Sequence, residues 1–131
     1  MRFLGRYTEP FFALLRIVAG LLFAMHGAQK MFGLWGVPPM THVPLLLTAA
    51  IIELVGGILV LAGFFTEVVA FVCSGEMAVA YFKGHFMNGG FWPIQNHGEP
   101  AVLFCFLFLF IAAHGAGRWS VDAALRGRRR T

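Results

Sequence analysis

Long apolar segments dominate this chain of 131 residues and limit the folds that it can adopt. Hydrophobic residues make up 59% and charged residues 12%, whereas a soluble domain has about 45–50% apolar and 25% charged residues. Because a helix needs about 20 apolar residues to cross the hydrocarbon core of a membrane, the length accommodates four spans and little else. We therefore predict a single all-α domain over residues 1–131, an integral membrane four-helix bundle without a soluble module.

Glycine, proline and polar residues punctuate the apolar segments and predict where the helices end. The four predicted helices have the approximate bounds 10–32, 43–65, 66–85 and 100–117. Thr66 is a candidate N-cap of the third helix. Residues 83–99 are rich in glycine, amides and histidine, which predicts a long outer loop.

The positions of the basic residues predict the orientation of the bundle. Arg2 and Arg6 precede the first helix, Lys83 lies on the opposite side, and five arginines follow the last helix: Arg118, Arg126, Arg128, Arg129 and Arg130. By the positive-inside rule both termini face the cytoplasm, in a multi-pass protein of the cell inner (plasma) membrane. The basic tail then lies against anionic lipid. No aromatic and basic groove accompanies the charge, so we expect no nucleic acid as a partner.

Ionisable side chains inside the apolar segments are the main candidates for function, because a lone charge in the bilayer is costly. His26, Gln29 and Lys30 end the first segment, and Glu53 and Glu76 lie near the middle of the second and third. We expect them to converge on an outward-opening polar pocket, in which the candidate catalytic residues are His26, Lys30, Glu53 and Glu76. The structural alternative is a set of ion pairs that fixes the register of the helices.

Further polar residues are candidates for ligand binding at the two ends of that pocket. Arg16 lies on the inner side, where its side chain either snorkels to the interface or bonds to Glu53 from below. The outer loop is expected to cap the pocket, and together with Gln29 it adds the candidate binding residues Asn88, Gln95, Asn96, His97 and Glu99. We interpret His42 and His85 as solvated loop residues, which is also the alternative for Asn88.

Small residues and cysteines inside the segments predict packing rather than chemistry. Gly20, Ala24 and Ala28 form a small-xxx-small row that lets a neighbouring helix approach closely. Cys73 and Cys105 are expected about 10 Å apart in depth, which is too far for a disulfide. We interpret both as small core residues.

Metal and covalent chemistries find little support in the sequence. Imidazole and carboxylate groups suit iron, manganese or zinc, and a set of His26, Glu53, Glu76 and His97 is chemically feasible. No Glu-x-x-His or His-x-x-x-His pair supports it, so we predict no metal site. The sequence also has no phosphate-binding glycine loop, nucleophile elbow or Cys-x-x-Cys motif.

Several short motifs occur in a distinctive order along the chain. They are His26-Gly27-Ala28-Gln29-Lys30 after an Arg-bearing first helix, Glu53 followed by Gly56-Gly57 and Gly63, Glu76, Asn88-Gly89-Gly90, and Gly115-x-Gly117-x-x-Ser120-x-Asp122. Over nearly the whole chain this order resembles the DoxX family of small four-helix membrane proteins. One departure concerns the acid expected soon after Asn-Gly-Gly, since residues 91–98 intervene before Glu99.

The resemblance to DoxX implies association with quinone-linked or thiol-linked redox systems, in some members as a subunit of a larger membrane oxidoreductase. We therefore expect an inner-membrane redox subunit that holds a quinone or a related molecule in its polar pocket. Lys30 and His26 would hydrogen-bond a quinone carbonyl, and Glu53 and Glu76 would relay protons. The expected partners are the lipid bilayer and a membrane or peripheral oxidoreductase, because no redox cofactor motif supplies electrons.

Two other functions are compatible with the same residues. The chain can be a non-enzymatic assembly or scaffold subunit in which ion pairs lock the bundle and the outer loop docks a partner. A proton or small-solute transporter is less favoured, because no inverted repeat or broken helix is evident. Enzyme activity, the identity of any cofactor and a homo-oligomeric state are left open by the sequence.

Overall fold

The computed structural model describes residues 3–129, so that the predicted contributions of Arg2 and Arg130 lie outside the described range. Every regular element in this range is helical and none is a β-strand, which confirms the all-α prediction there. The elements are a 3-10 turn Gly5–Tyr7, α1 Thr8–Phe32, α2 Pro44–Ala62, α3 Thr66–Ala80, a π-helical segment Tyr81–Phe86, α4 Met87–Gly89, α5 Pro93–Asn96, α6 Glu99–His114 and α7 Val121–Arg128.

The bundle has two ends, which we name by the segments found there. The loop end carries the connection 33–43 and the segments from the π-helical turn to α5, whereas the terminal end carries the turn between α2 and α3 together with α7. The predicted outer loop over residues 83–99 is thus partly helical. α2 ends at Ala62 because Gly63 adopts a left-handed conformation with φ of 71°, which an L side chain rarely does.

Two of the helices are long and apolar enough to cross a membrane by length and composition. They are Gly5–Phe32, which includes α1, and Pro44–Ala62, which is α2. The apolar helix α6 is shorter, with 16 residues, and α3 has 15. Large apolar side chains are exposed along α1 and α2, among them Leu14, Val18, Leu21, Val55 and Ile58. Such a surface is suited to lipid rather than to water.

Glycines bring α1 and α2 into backbone contact. A Cβ atom built on Gly27 would lie 2.7 Å from the carbonyl oxygen of Ala50 and against the backbone of Leu54. A Cβ atom on Gly57 would lie 2.6 Å from the carbonyl oxygen of Gly20. Because real side chains do not occupy such distances, these positions require glycine if the two helices are to approach so closely.

The small residues of α1 that face α2 include Gly27 in place of the predicted Ala28. Gly20, Ala24 and Gly27 are buried, whereas Ala28 is only half-buried. At about 100° per residue, the first three positions fall within about 60° of one another and Ala28 lies beyond them. The close contact therefore reaches to within one turn of Lys30.

The two cysteines lie at similar depths on neighbouring helices. The Ser74 hydroxyl donates to the carbonyl oxygen of Cys105 at 2.7 Å and lies 3.6 Å from its Sγ atom. The predicted difference in depth between Cys73 and Cys105 is therefore wrong, because this hydrogen bond places Ser74, the neighbour of Cys73, level with Cys105. Both cysteines are free thiols, and Cys73 is fully buried against Gly56.

Asp122 caps α3 across the terminal end. Its two carboxylate oxygens accept hydrogen bonds from the backbone N–H groups of Phe65 and Thr66, both at 3.0 Å. The predicted N-cap role of Thr66 is wrong, since Phe65 occupies the N-cap position and Thr66 is the first residue of α3. Partial burial disfavours the charged form of Asp122, but the hydrogen bonds from Thr66 and Phe65 outweigh it and keep the pKa of Asp122 below its usual value.

We predict that Gly27→Ala destabilises the protein by about 1–3 kcal/mol, because the added methyl group would overlap the backbone of α2. Thermal unfolding in detergent, followed by circular dichroism, measures the change. Gly75→Ala is the matched control on α3, where a Cβ atom meets nothing within 4 Å. It should be neutral or stabilising by up to about 1 kcal/mol. Equal melting temperatures for the two variants would contradict the backbone contact.

Candidate ligand-binding groove

A groove with a volume of about 610 Å³ lies between α2 and α3 toward the loop end. We call it the α2–α3 groove. Most of its lining is apolar and includes Leu45, Ile52, Val72 and Val79. Its polar lining comes from α1, α2, α3 and the π-helical segment, and consists of Lys30, Thr48, Glu76, Lys83 and His85. An apolar cleft with a few convergent polar groups is the usual form of a small-molecule site.

Lys30 and Glu53 form an ion pair at the inner wall of the groove. The Nζ atom of Lys30 lies 2.6 Å from Oε1 of Glu53, and the two side chains are 22% and 2% exposed. One of the two predicted partners of Lys30 is thereby confirmed. The second carboxylate oxygen of Glu53, Oε2, is buried and accepts no hydrogen bond from the described residues. The pair joins α1 to α2 and leaves one acceptor unused.

Glu76 lines the groove from α3 and interacts electrostatically with both members of that pair. Its Oε2 atom is also buried without a hydrogen-bond partner in the described range. Two carboxyl groups thus share the neighbourhood of one ammonium group. Buried acceptors of this kind are costly unless a donor reaches them. The arrangement favours a ligand that brings hydrogen-bond donors to the groove.

The predicted shared face of Glu76, Ala80 and Lys83 is confirmed, because all three residues line the groove. His85 lines it as well, although the sequence indicates a solvated loop position. Nine residues at about 100° each place His85 half a turn away from Glu76 in a regular α-helix. The π-helical segment Tyr81–Phe86 changes that rotation, and π-turns occur frequently at functional sites.

The side-chain amides that follow the π-helical segment bond to nearby backbone groups and to the Tyr81 hydroxyl. The buried amide of Asn96 donates to the carbonyl oxygen of Gly90 at 2.9 Å and to the Tyr81 hydroxyl at 3.2 Å, and it accepts from the Gly98 N–H. Asn88 donates to the carbonyl oxygen of Gly84 at 3.1 Å. These amides hold the segment together and do not line the groove.

The remaining predicted binding residues of the outer segment, which are Gln95, His97 and Glu99, are exposed at the loop end. None of them lines the α2–α3 groove. Of the predicted outer loop, Lys83, Gly84 and His85 line the groove, whereas the amide-rich part expected to cap the pocket does not. The groove is instead bordered by exposed apolar side chains, among them Leu45 and Val79.

Two predicted residues of α1 lie outside the groove. His26 is exposed and packs edge-to-face on Phe104 of α6, with ring centroids 6.2 Å apart. Gln29 is half-buried and does not line the groove. Only Lys30 of the His26–Lys30 stretch lines the groove, although His26 lies one helical turn before it on nearly the same face of α1.

Arg16 is placed far from the other predicted site residues, at the terminal end. Its guanidinium is buried and donates to the backbone carbonyl oxygens of Ala116 and of Trp119, the latter at 2.6 Å. The predicted alternatives of snorkelling or bonding to Glu53 are both wrong. Arg16 instead fastens the segment before α7 to α1, since a buried arginine needs acceptors and backbone carbonyls supply them.

The structure offers carboxylate and imidazole groups but no cluster suited to a metal ion. Among residues 3–129, no three His, Cys, Asp or Glu side chains are close enough to hold one.

A sequence model of the DoxX family matches residues 11–86, which is more than half of the chain and includes every polar residue of the groove. The chain belongs to the DoxX family. An uncharacterized protein of Haemophilus influenzae is 41% identical over 128 residues, covering 93% of this chain and 96% of the relative. An uncharacterized membrane protein of Mycobacterium tuberculosis is 29% identical over 146 residues, covering 97% of this chain and 88% of the relative. No solved structure matches the chain significantly.

Membership of the DoxX family and the membrane-protein relative identify the chain as a membrane protein, embedded in the lipid bilayer. The exposed apolar surfaces of α1 and α2 are then covered by lipid. In an apolar environment, an ion pair such as Lys30–Glu53 is stronger than it would be in water.

We predict that Lys30→Met in this DoxX protein costs about 2–4 kcal/mol of stability, because it leaves the buried Glu53 carboxylate unpaired. Replacing both partners, as Lys30→Met with Glu53→Leu, should cost less than the sum of the two single changes. Reversible unfolding in mixed micelles measures the three variants. Strict additivity would show that the two side chains do not interact.

Proposed function

We propose that this DoxX membrane protein binds a quinone or a related lipid-soluble redox molecule in the α2–α3 groove, as a subunit of a quinone-linked or thiol-linked redox system. The proposal depends above all on one observation. An apolar groove between two helices ends on Lys30, which is paired with the buried Glu53, and on an unpaired oxygen of Glu76. Apolar walls suit an alkyl tail, and the polar groups suit the oxygens of a ring headgroup.

Lys30 is the proposed donor to the headgroup. An ammonium group has three N–H donors, and one of them bonds to Oε1 of Glu53. The other two remain for a quinone oxygen, so that the ion pair holds Lys30 charged while it binds the ligand. Glu76, on the facing helix, is the group that exchanges a proton with the ring oxygen.

The electrons for this chemistry come from outside the chain. Reduction of a quinone to a quinol consumes two electrons and two protons, and the sequence contains no motif for a flavin, haem or iron–sulfur cluster. We therefore propose that a membrane or peripheral oxidoreductase, or a diffusible reductant, exchanges electrons with the bound molecule. The role of the groove is to bind and orient the ring and to move its protons.

The proposed route into the groove runs through the bilayer rather than through an outward opening. The groove is bordered by side chains of α2 and α3 such as Leu45, Val72 and Val79, each about half exposed. A molecule dissolved in lipid meets these apolar side chains first and the polar groups afterwards. This proposal replaces the outward-opening pocket expected from the sequence.

We further propose that the chain forms four spans in the inner (plasma) membrane, with both termini in the cytoplasm. The spans are α1, α2, α3 with the π-helical segment, and α6. Basic residues support the orientation, since the terminal end carries Arg6, Arg118, Arg126 and Arg129, whereas the loop end carries Lys83 beyond the end of α3.

Fusions to two reporters test this topology. Green fluorescent protein fused after the C-terminus should be fluorescent in a bacterial host, because it folds in the cytoplasm. Alkaline phosphatase inserted after Gly90 should be active, because it folds only outside the inner membrane. The reverse pattern would overturn the proposed orientation, and activity of both reporters at one end would contradict an even number of spans.

A non-enzymatic assembly subunit remains the alternative function. The direct contact between Lys30 and Glu53 supports it, because an ion pair that locks two helices needs no ligand. The alternative predicts a tight groove that binds no quinone in any variant, whereas the proposed function predicts saturable binding.

We predict that Glu76→Gln weakens the binding of a short-chain benzoquinol by about fivefold or more, which is the loss of one buried hydrogen bond from a ligand hydroxyl to a charged group. Titration calorimetry of the purified protein in nanodiscs measures the affinity. Glu67→Gln is the matched control, since Glu67 is exposed on the same helix at the terminal end. Saturable binding that is equal in wild type and both variants would remove Glu76 from the site, and no binding at all would favour the assembly subunit.

A further inference from the structure

We propose that His85 is a ligand-contacting residue of the α2–α3 groove and accepts a hydrogen bond from a ligand hydroxyl, so that the groove selects the hydroxyl-bearing, reduced form of a ring compound. The inference rests on the proposed function, because it specifies which form of the redox molecule the groove prefers. It starts from the one groove histidine that the sequence assigns to a solvated loop.

The hydrogen bond of His85 determines which of its ring nitrogens carries the proton. Its Nδ1 atom lies 3.0 Å from the backbone carbonyl oxygen of Asn96. A carbonyl oxygen can only accept, so Nδ1 must be the donor. In the neutral ring Nε2 is then an unprotonated acceptor, and it has no hydrogen-bond partner among residues 3–129. Fixing one nitrogen through a backbone carbonyl is how proteins set the tautomer of a working histidine.

The backbone carbonyl that accepts the hydrogen bond from His85 belongs to Asn96, a buried residue whose side chain is itself hydrogen-bonded. Asn96 is 6% exposed, and its side chain bonds to Gly90, Tyr81 and Gly98. The Tyr81 hydroxyl in turn donates to the carbonyl oxygen of Phe91 at 2.7 Å. The segment at the loop end therefore acts as a rigid support for the imidazole rather than as a cap over the ligand.

The hydrogen-bond acceptors of the groove distinguish the oxidised from the reduced form of the ligand. A quinone has only acceptor oxygens, whereas a quinol has two O–H donors. Nε2 of His85 and Oε2 of Glu76 are both acceptors without a partner in the described chain. A quinone brings two further acceptors toward them, and a quinol brings donors. Lys30 can donate to a ring oxygen in either form, so the preference for the quinol comes from His85 and Glu76.

Two substitutions separate the supporting role of His85 from its contact with the ligand. In His85→Asn the amide N–H can replace the Nδ1 donor to Asn96, but nothing replaces Nε2. In His85→Gln the longer amide places a polar group near the Nε2 position, but the bond to Asn96 is lost. The first variant should keep the melting temperature and lose much of its affinity for the quinol, and the second should melt earlier and keep more of that affinity.

The binding of a short-chain benzoquinone and of its quinol is measured by calorimetry in nanodiscs at pH 8, where a histidine in water is neutral, and under argon. We expect the wild type to bind the quinol about fivefold or more tightly than the quinone, and this preference to be smaller in His85→Asn, where only Glu76 still accepts a hydrogen bond from the quinol. His42→Asn, an exposed histidine at the same end, is the control and should keep the preference.

Each outcome of this experiment is decisive. Equal affinities of the wild type for quinol and quinone, or an unchanged preference in His85→Asn, would overturn the inference while the proposed function stands. Absence of binding of both forms to the wild type would overturn the proposed function as well. If His85→Asn does not fold, the dimethyl ether of the quinol is titrated against wild type and His85→Gln. The ether should bind the wild type about as weakly as the quinone does, and tighter binding would contradict donation from a ligand hydroxyl.

Discussion

The buried carboxylate of Glu53 is the constraint on which the arrangement of the loop end depends. A charge in an apolar bundle must be matched, and Lys30 matches it at 2.6 Å. The match is possible only because α1 and α2 touch along their backbones one turn earlier, where Gly27 lies against Ala50 and Leu54. The close packing of glycine thus brings two charged side chains from different helices within bonding distance.

The charged side chains at the two ends of the bundle have different kinds of partner. At the terminal end, the guanidinium of Arg16 and the carboxylate of Asp122 bond to backbone groups of other elements, and together they fasten α7 and the segment before it. At the loop end, Glu53 and Glu76 each keep a buried oxygen without a partner in the part of the chain that the structure describes. Arg16 Nε and Thr66 Oγ1 at the terminal end are also buried without a partner in the described chain, so an unpaired atom indicates a candidate ligand site only where it lines an apolar groove, as Glu76 does.

The segment from Tyr81 to Gly98 is held by its own hydrogen bonds and determines the position of His85. The amides of Asn88 and Asn96 bond to backbone groups of the segment itself and do not line the groove. The same bonds hold the backbone carbonyl of Asn96 in place for His85. The segment contributes to the candidate site by positioning one imidazole, through a π-helical turn that places it beside α3.

The sequence by itself determined the helical class, the membrane character and which ionisable residues are candidates for function. The apolar runs and the cost of burying Lys30, Glu53 and Glu76 are properties of the residues themselves, and they do not depend on how the helices meet. Only the tertiary structure decided which groups converge. His26 and Lys30 are four residues apart yet face different neighbours, and Arg16 and Glu53 lie at different ends of the bundle. His85 depends on a local change in helical rotation and on a partner eleven residues away, and neither is visible in a hydrophobic pattern.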